Sequence, residues 1–310
     1  MRSTKQRWIG NSSEGTPAAP VMHERVAENI LGRPGAGHAQ DILSEACKRG
    51  CKVTLFDEWC TLAREENGGK RLWRLAEKEK KRAEIRNRLV KTVRCHYDDL
   101  DRIADDVNAL GYEGAAKILG ARLPQTRSAR SGELGEILAV ELVEEALGFQ
   151  IPVRRLRYKD GREMALRGDD FLGIAINDEN QLRLLKGESK SAANVSKKTV
   201  ENAREALSSH DGRPTPISLL FVADRLSEAE GVEGELGRLL RNEVAEKSVS
   251  PSMIDHALFT LSGNDPARLL TEDLEDADGR RRQTVINLRI QDHQNFIADI
   301  YEGALALGDD

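Results

Sequence analysis

An α/β fold is the architecture this 310-residue chain predicts, and three observations carry it. From residue 130 onward, helical periodicities alternate with short apolar or β-branched runs, the pattern of helices packed on a sheet. Several of those runs, TPISLLFVAD above all, are apolar enough to lie in a sheet covered on both faces. Before residue 125 the apolar spacing is mostly helical, and no repeat at a period of about 20–50 residues appears.

The elements follow in order. Residues 1–25 are polar and rich in Gly, Ser, Pro and Ala, and are expected to be loosely ordered. Residues 26–125 are expected to be mainly helical, a region to which the family resemblance given below adds a possible partner-docking role. HAQDILSEACKRG sets Ile42, Leu43, Ala46 and Cys47 at helical spacing before Gly50. LFDEWCTLAREENGG reads as a further helix stopped by Gly68 and Gly69. Residues 70–94 hold eleven Lys/Arg against three Glu, so this expected helix presents either a solvated basic face or a surface for phosphates. More helix is expected over 98–120, with Pro124 in a loop.

The second part, 126–310, opens with the helix SGELGEILAVELVEEALGF, for which Ser131 is the expected N-cap. Strands are expected at IPVRRLRYKD, at GDDFLGIAIND and, after a turn at 177–180, at QLRLLKGESKS. SKKTVENAREALSSH reads as an amphipathic helix and TPISLLFVAD as a mid-sheet strand. A helix at 233–247, a strand at MIDHALFTLSG, a charged loop over 264–282, a strand at TVINLRI and a helix near 292–306 complete the expected order.

Composition narrows the class of function. With 39% hydrophobic and 32% charged residues, the chain is neither a disordered nor a membrane composition. No stretch approaches the ~18–20 apolar residues that span a bilayer, and MRSTKQRWIGNSSEG lacks the apolar region of a secretory signal, so a cytoplasmic protein with no membrane contact is expected. The net charge of −5 argues against a wholly basic surface but leaves room for a local basic groove. Cys47, Cys51, Cys60 and Cys95 lack paired CxxC knuckles, so free thiols are expected rather than zinc ligands. GRPGAG (32–37) lacks the Lys-Ser/Thr of a phosphate loop and reads as a plain loop, and no GxxxxGK[ST] motif occurs.

One ordered set of residues carries chemistry. Glu136 lies in the early turns of a helix, Asp170 follows Gly168-Asp169 where a turn enters a strand, and Glu188-Ser189-Lys190 ends the next strand. Alternation along a strand puts Glu188 and Lys190 on one face, and the eighteen-residue separation of Asp170 from Glu188 suffices for a hairpin that sets them side by side. Two such carboxylates make a hard oxygen site suited to Mg²⁺ or Mn²⁺. Lys190 would lie next to the attacking water or the phosphate, and Glu136 could reach the same metal or a second one from its helix. Glu133, one turn earlier, is the other credible helix carboxylate, and Asp169 is an additional acid. Arg155 and Arg157, with Arg154, Lys159, Arg162 and Arg167 along the same segment, are candidate phosphate contacts. So are Lys197 and Lys198 at a helix N-terminus just beyond the ExK strand.

This arrangement resembles the PD-(D/E)xK superfamily, the restriction-endonuclease-like fold. More narrowly, RSGELGEILAVELVEEAL, RYKDGREMALRGDDFLGI and LRLLKGESKSAANVSKKTVENAREAL resemble HamA, the nuclease family of Hachiman anti-phage defence, over about residues 120–300 and most strongly over 130–210. The resemblance implies a mixed central sheet flanked by helices and a nuclease domain over 126–310. By motif position, Glu136 matches the helix carboxylate, Asp170 the GxD metal ligand, and Glu188 and Lys190 the ExK pair; the first motif here lacks its Pro. The resemblance further implies a metal-dependent DNase of low sequence preference, held in check by a separate helicase or ATPase subunit resembling HamB. Two other functions remain open on the residues alone: a non-catalytic DNA- or partner-binding subunit, and a site-specific restriction or repair endonuclease.

Overall fold

A six-stranded mixed sheet organises the computed structural model, which describes residues 54–177, 179, 181–228 and 231–307. Its strands are β1 (Cys60–Asn67), β2 (Lys70–Glu77), β3 (Phe171–Ile176), β4 (Leu182–Ala192), β5 (Ile254–Ser262) and β6 (Gln283–Arg289), in the spatial order β1-β2-β6-β5-β4-β3. The four inner strands run parallel, and the edge strands β1 and β3 are antiparallel to their neighbours.

Helices cover both faces, as the burial of β5 over its whole length requires. Ala257, Phe259 and Leu261 pack with α1 (Leu55–Trp59), α2 (Lys81–Tyr97), α3 (Leu100–Arg122), α4 (Arg127–Ala146) and α9 (His293–Leu305). Leu258 points the other way, into a cluster with α5 (Lys197–Ser208) and α8 (Ala267–Asp276). A third cluster joins Leu172, Ile174 and Leu184 to α6 (Pro216–Leu226) and α7 (Val232–Glu246). Among the described residues, no helix is long and apolar enough to cross a membrane.

The α/β architecture, the mixed sheet and its flanking helices match the expectation, but four segments differ from it. Residues 60–77, expected to be helical, form the β1–β2 hairpin, turned by Gly68 and Gly69 with Gly68 at φ +61°. The hairpin is hard to see because β1 is an exposed edge rich in charge and has no apolar alternation. TPISLLFVAD is a helix, not a strand. Thr215 caps it by accepting the Ser218 amide at 3.2 Å, Pro216 begins it, and Leu219, Val222, Ala223 and Leu226 bury one i, i+3, i+4, i+7 stripe.

IPVRRLRYKD forms no strand: the isolated bridge of Gln150 to Ile174 falls just before it, and the segment itself holds a 3₁₀ turn over Arg155–Tyr158. Its arginines hold it against helices instead of a strand: Arg154 donates to Glu144 at 2.5 Å and Arg157 to the Cys95 carbonyl at 2.7 Å. The charged loop expected over 264–282 contains α8, which buries just Leu270 and Leu274. Helix α4 begins at Arg127 with Thr126 as its cap, five residues before the expected cap Ser131. Cys60 and Cys95 are free thiols. The expected helix at 38–50, the loop at 32–37, Cys47, Cys51 and the N-terminal segment 1–25 lie outside the described residues.

The β3–β4 register depends on a glycine. Phe171 pairs with Gly187, and a Cβ on Gly187 would stand 1.9 Å from the Phe171 ring. Gly187→Ala is therefore expected to lower stability by about 2–3 kcal/mol, the range for overpacking a filled core. Urea unfolding checks this, and a midpoint equal to wild type would contradict it.

Candidate active site at the open edge of strand four

The site forms where β3 stops and β4 continues. The antiparallel register pairs Phe171 with Gly187, so two further residues would pair Asp169 with Ser189. That pair is not made. The Asp169 carbonyl accepts a hydrogen bond from Arg155 Nη1, and a second guanidinium nitrogen of Arg155 donates to the Arg167 carbonyl at 2.9 Å. The Ser189 amide left on the β4 edge donates instead to Asp170 Oδ2 at 2.8 Å. Gly168 allows the chain to turn into this position: it takes φ +98°, and a Cβ there would stand 2.4 Å from Ser218 Oγ.

Glu188 and Lys190 project from β4 on the face of Leu258, and Lys190 Nζ donates to Glu188 Oε1. Helix α4 lies on the opposite face. It approaches β4 closely because residue 135 has no side chain: a Cβ on Gly135 would be 2.9 Å from Ser189 Oγ and 3.1 Å from Ser191 Cβ. Glu136 thus comes to the same open edge from the far side, and it lines a small pocket with Asp170, Arg155 and Phe171.

Three acids share this edge with too little compensation. Burial pushes the Glu188 carboxyl up to about 7, with Asp170 the next cause and Lys190 opposing. Burial likewise raises Asp170, against the pull of Lys190, the Ser189 amide and Arg155. Glu136 is raised well above its ordinary range by burial and then by Asp170. The Lys190 ammonium is held above its usual value because Glu188, Asp170 and Glu136 together outweigh its own burial. Such a concentration of negative charge in a partly desolvated edge is what a divalent cation relieves.

The neighbouring acids are committed elsewhere. Glu133 accepts from Tyr97 Oη at 2.5 Å and from Lys159 Nζ, and Tyr97 also contacts Tyr301 Oη at 2.9 Å. Buried Asp169 accepts from the Thr215 amide at 2.7 Å, which ties it to the start of α6, and lies 3.6 Å from the buried Lys186 ammonium. Of the two helix carboxylates open on sequence, Glu136 is the one that faces Asp170.

Among the described residues, no three or more His, Cys, Asp or Glu side chains already converge as a closed set of metal ligands. Magnesium asks for less, since one or two carboxylates suffice when water and phosphate complete its shell. Asp170 and Glu188, hard donors raised chiefly by burial, fit that demand, with Glu136 beside them.

The expected phosphate contacts separate by their bonding. Lys197 and Lys198 are exposed in the first turn of α5, and Lys197 lies 3.8 Å from Glu201. Arg157 is spent on the Cys95 carbonyl and on Asp99, at 3.4 Å. Arg155 is held by two carbonyls yet acts electrostatically on Glu136 and Asp170. That anchoring role was illegible in the sequence, because both of its acceptors are main-chain atoms.

Comparison with known proteins identifies the family. The HamA family pattern matches residues 54–304. The chain is also similar to the Hachiman protein HamA of Bacillus cereus, with 29% identity over 181 residues, covering 58% of this chain. The match spans 63% of that relative's length, under two thirds of it.

The raised Glu188 carboxyl sets a pH dependence. A carboxyl at about 7 when folded and near 4.5 when unfolded binds more protons in the folded state between those values. Stability is then lost as pH rises through this window. In metal-free buffer, wild type should lose about 2–3 kcal/mol relative to Glu188→Gln between pH 4.5 and pH 8. Chemical denaturation across that range measures it, and parallel pH profiles for the two proteins would refute the assignment.

Proposed function

The chain belongs to the HamA family, and from that premise we propose that it is a metal-dependent deoxyribonuclease of the restriction-endonuclease-like type, acting in Hachiman anti-phage defence. The observation that carries this reading is the edge where Asp170 holds the Ser189 amide beside the Glu188–Lys190 pair. Resemblance to the PD-(D/E)xK motif order supports it, and so does the unrelieved negative charge shared by Glu136, Asp170 and Glu188.

In this reading Asp170 and Glu188, with Glu136, hold Mg²⁺ or Mn²⁺. The ion, when bound, supplies Lewis acidity toward the phosphodiester and makes a nucleophilic water available near neutral pH. The protein's own groups do the rest. Asp170 is aimed by its bond from the Ser189 amide, so the carboxylate is oriented before substrate arrives. Lys190, paired with Glu188, carries a positive charge toward the scissile phosphate and orients the attacking water. Lys190 stands two residues beyond Glu188 on the same face of β4, so its ammonium would serve the phosphate from beside the carboxylates that would hold the ion. Lys197 and Lys198 extend positive charge along the path of the backbone.

The same reading assigns control of the nuclease to a helicase or ATPase subunit resembling HamB. A nuclease of low sequence preference needs such restraint, and the chain has no nucleotide-binding loop in its sequence.

Purified protein should nick supercoiled plasmid with Mg²⁺ or Mn²⁺ and lose that activity in chelator. Asp170→Ala and Lys190→Ala should each lower the rate by at least ~100-fold, the scale expected when a catalytic electrostatic group is removed. Substituted proteins that cut as fast as wild type would sink the site assignment. A discrete banding pattern on defined DNA would replace the reading with a sequence-specific endonuclease. DNA binding without cleavage, alone and after release from the proposed helicase or ATPase subunit, would replace it with a non-catalytic subunit.

A further inference from the structure

An exposed ledge of apolar and aromatic side chains begins beside the site and has no part in the chemistry described above. Ile217 is 49% exposed and abuts Gly168, two residues before Asp170: a Cβ on Gly168 would lie 2.8 Å from Ile217 Cγ2. Ile217, Phe221 and Arg225 follow at i, i+4 and i+8 along α6, so they form one stripe. Tyr158, 45% exposed, stands edge-on to Phe221 with ring centres 5.8 Å apart. The Arg225 guanidinium lies 4.3 Å from the Tyr158 ring centre and 3.6 Å from that of Phe221, which fixes the ring positions.

The ledge is tied to the site by backbone geometry. Tyr158 is three residues after Arg155 within a 3₁₀ turn, where i and i+3 side chains eclipse, and Arg155 is the residue that holds the Asp169 carbonyl. Positive charge accompanies it. Arg162 and Arg167 are exposed on the loop that leads to Asp170, and neither guanidinium has an ion-pair partner among the described residues.

We propose that this ledge receives the bases of an unpaired DNA strand, so that the substrate taken at the Asp170 edge is single-stranded, or locally melted, next to the scissile phosphate. The inference rests on the nuclease reading and specifies the state of DNA that the site accepts. Within a duplex, base faces are covered by their neighbours and a protein meets phosphates and groove edges. Exposed rings such as Tyr158, flanked by arginines, instead suit splayed bases of any sequence, since every base has a π face. Exposed Ile217 and half-buried Phe221 extend the apolar floor from the metal-binding acids toward Tyr158.

The test is equilibrium binding of the full chain to labelled oligothymidine and to a labelled duplex, by fluorescence anisotropy with Ca²⁺ in place of Mg²⁺. Tyr158→Ala should weaken single-strand binding roughly tenfold, the loss of one base–aromatic stack. Tyr158→Phe should bind within about twofold of wild type, because the ring is kept. Ile217→Ser should weaken single-strand binding several-fold; it leaves the Tyr158 and Phe221 rings in the chain, so it decides the matter if Tyr158→Ala fails to fold. Duplex binding should change little in all three. Unchanged single-strand binding, or equal losses on both probes, overturns the ledge.

Plasmid nicking by the same preparations separates the two readings. Wild-type nicking together with unaltered single-strand binding by the variants overturns the ledge alone. A wild type that neither binds nor cuts DNA overturns both.

Discussion

One hydrogen bond organises the candidate site: the Ser189 amide, left without a strand partner, is taken by the Asp170 carboxylate. The bond exists because β3 does not continue. Had it continued, Asp169 would have paired with Ser189 in the register set by Phe171 and Gly187, and Asp170 would have been one more residue of an edge strand. Arg155 takes the Asp169 carbonyl instead, and the chain swings away. A strand end thereby becomes a place where a side chain, not a backbone carbonyl, satisfies the sheet. That side chain is a carboxylate with its second oxygen left over.

The opening also lets two faces of the sheet meet. Glu188 and Lys190 belong to the face covered by α5 and α8, whereas Glu136 rides on α4 across the sheet. Inside a continuous sheet they would never share an environment. At the β4 edge they do, and the absence of a side chain at Gly135 brings α4 within reach of Ser189 and Ser191. Burial then raises all three carboxyls, and Asp170 pushes Glu136 and Glu188 further up. The folded state tolerates this charge at a cost that the surrounding core must offset, the usual relation between a preorganised site and stability.

Acids of similar sequence position have different fates here. Glu133 and Glu136 are one turn apart, but Tyr97 and Lys159 occupy the first. Asp169 and Asp170 are adjacent, but Asp169 turns inward to the start of α6 and to Lys186. Each committed acid braces the element that carries the uncommitted one. Asp169 fixes the approach to Asp170, and Glu133 fixes the helix turn that bears Glu136.

Much of this was legible without coordinates. Period-two alternation puts Glu188 and Lys190 on one face, the hairpin length brings Asp170 to Glu188, and the long amphipathic patterns mark α4 and α5, because these are local consequences of backbone geometry. Local pattern misled where a neighbour outweighed it. TPISLLFVAD looks like a buried strand until its Thr215 cap and Pro216 are read together. Residues 60–77 look helical because the sheet edge they form has little apolar alternation to display. The chain by itself determined which residues could do chemistry and in what order they occur. Only the tertiary structure decided that Glu136 rather than Glu133 faces Asp170, and that Arg155 opens the edge where they meet. Those outcomes depend on long-range bonds to main-chain carbonyls and to side chains as distant as Tyr97, for which sequence spacing carries no signal.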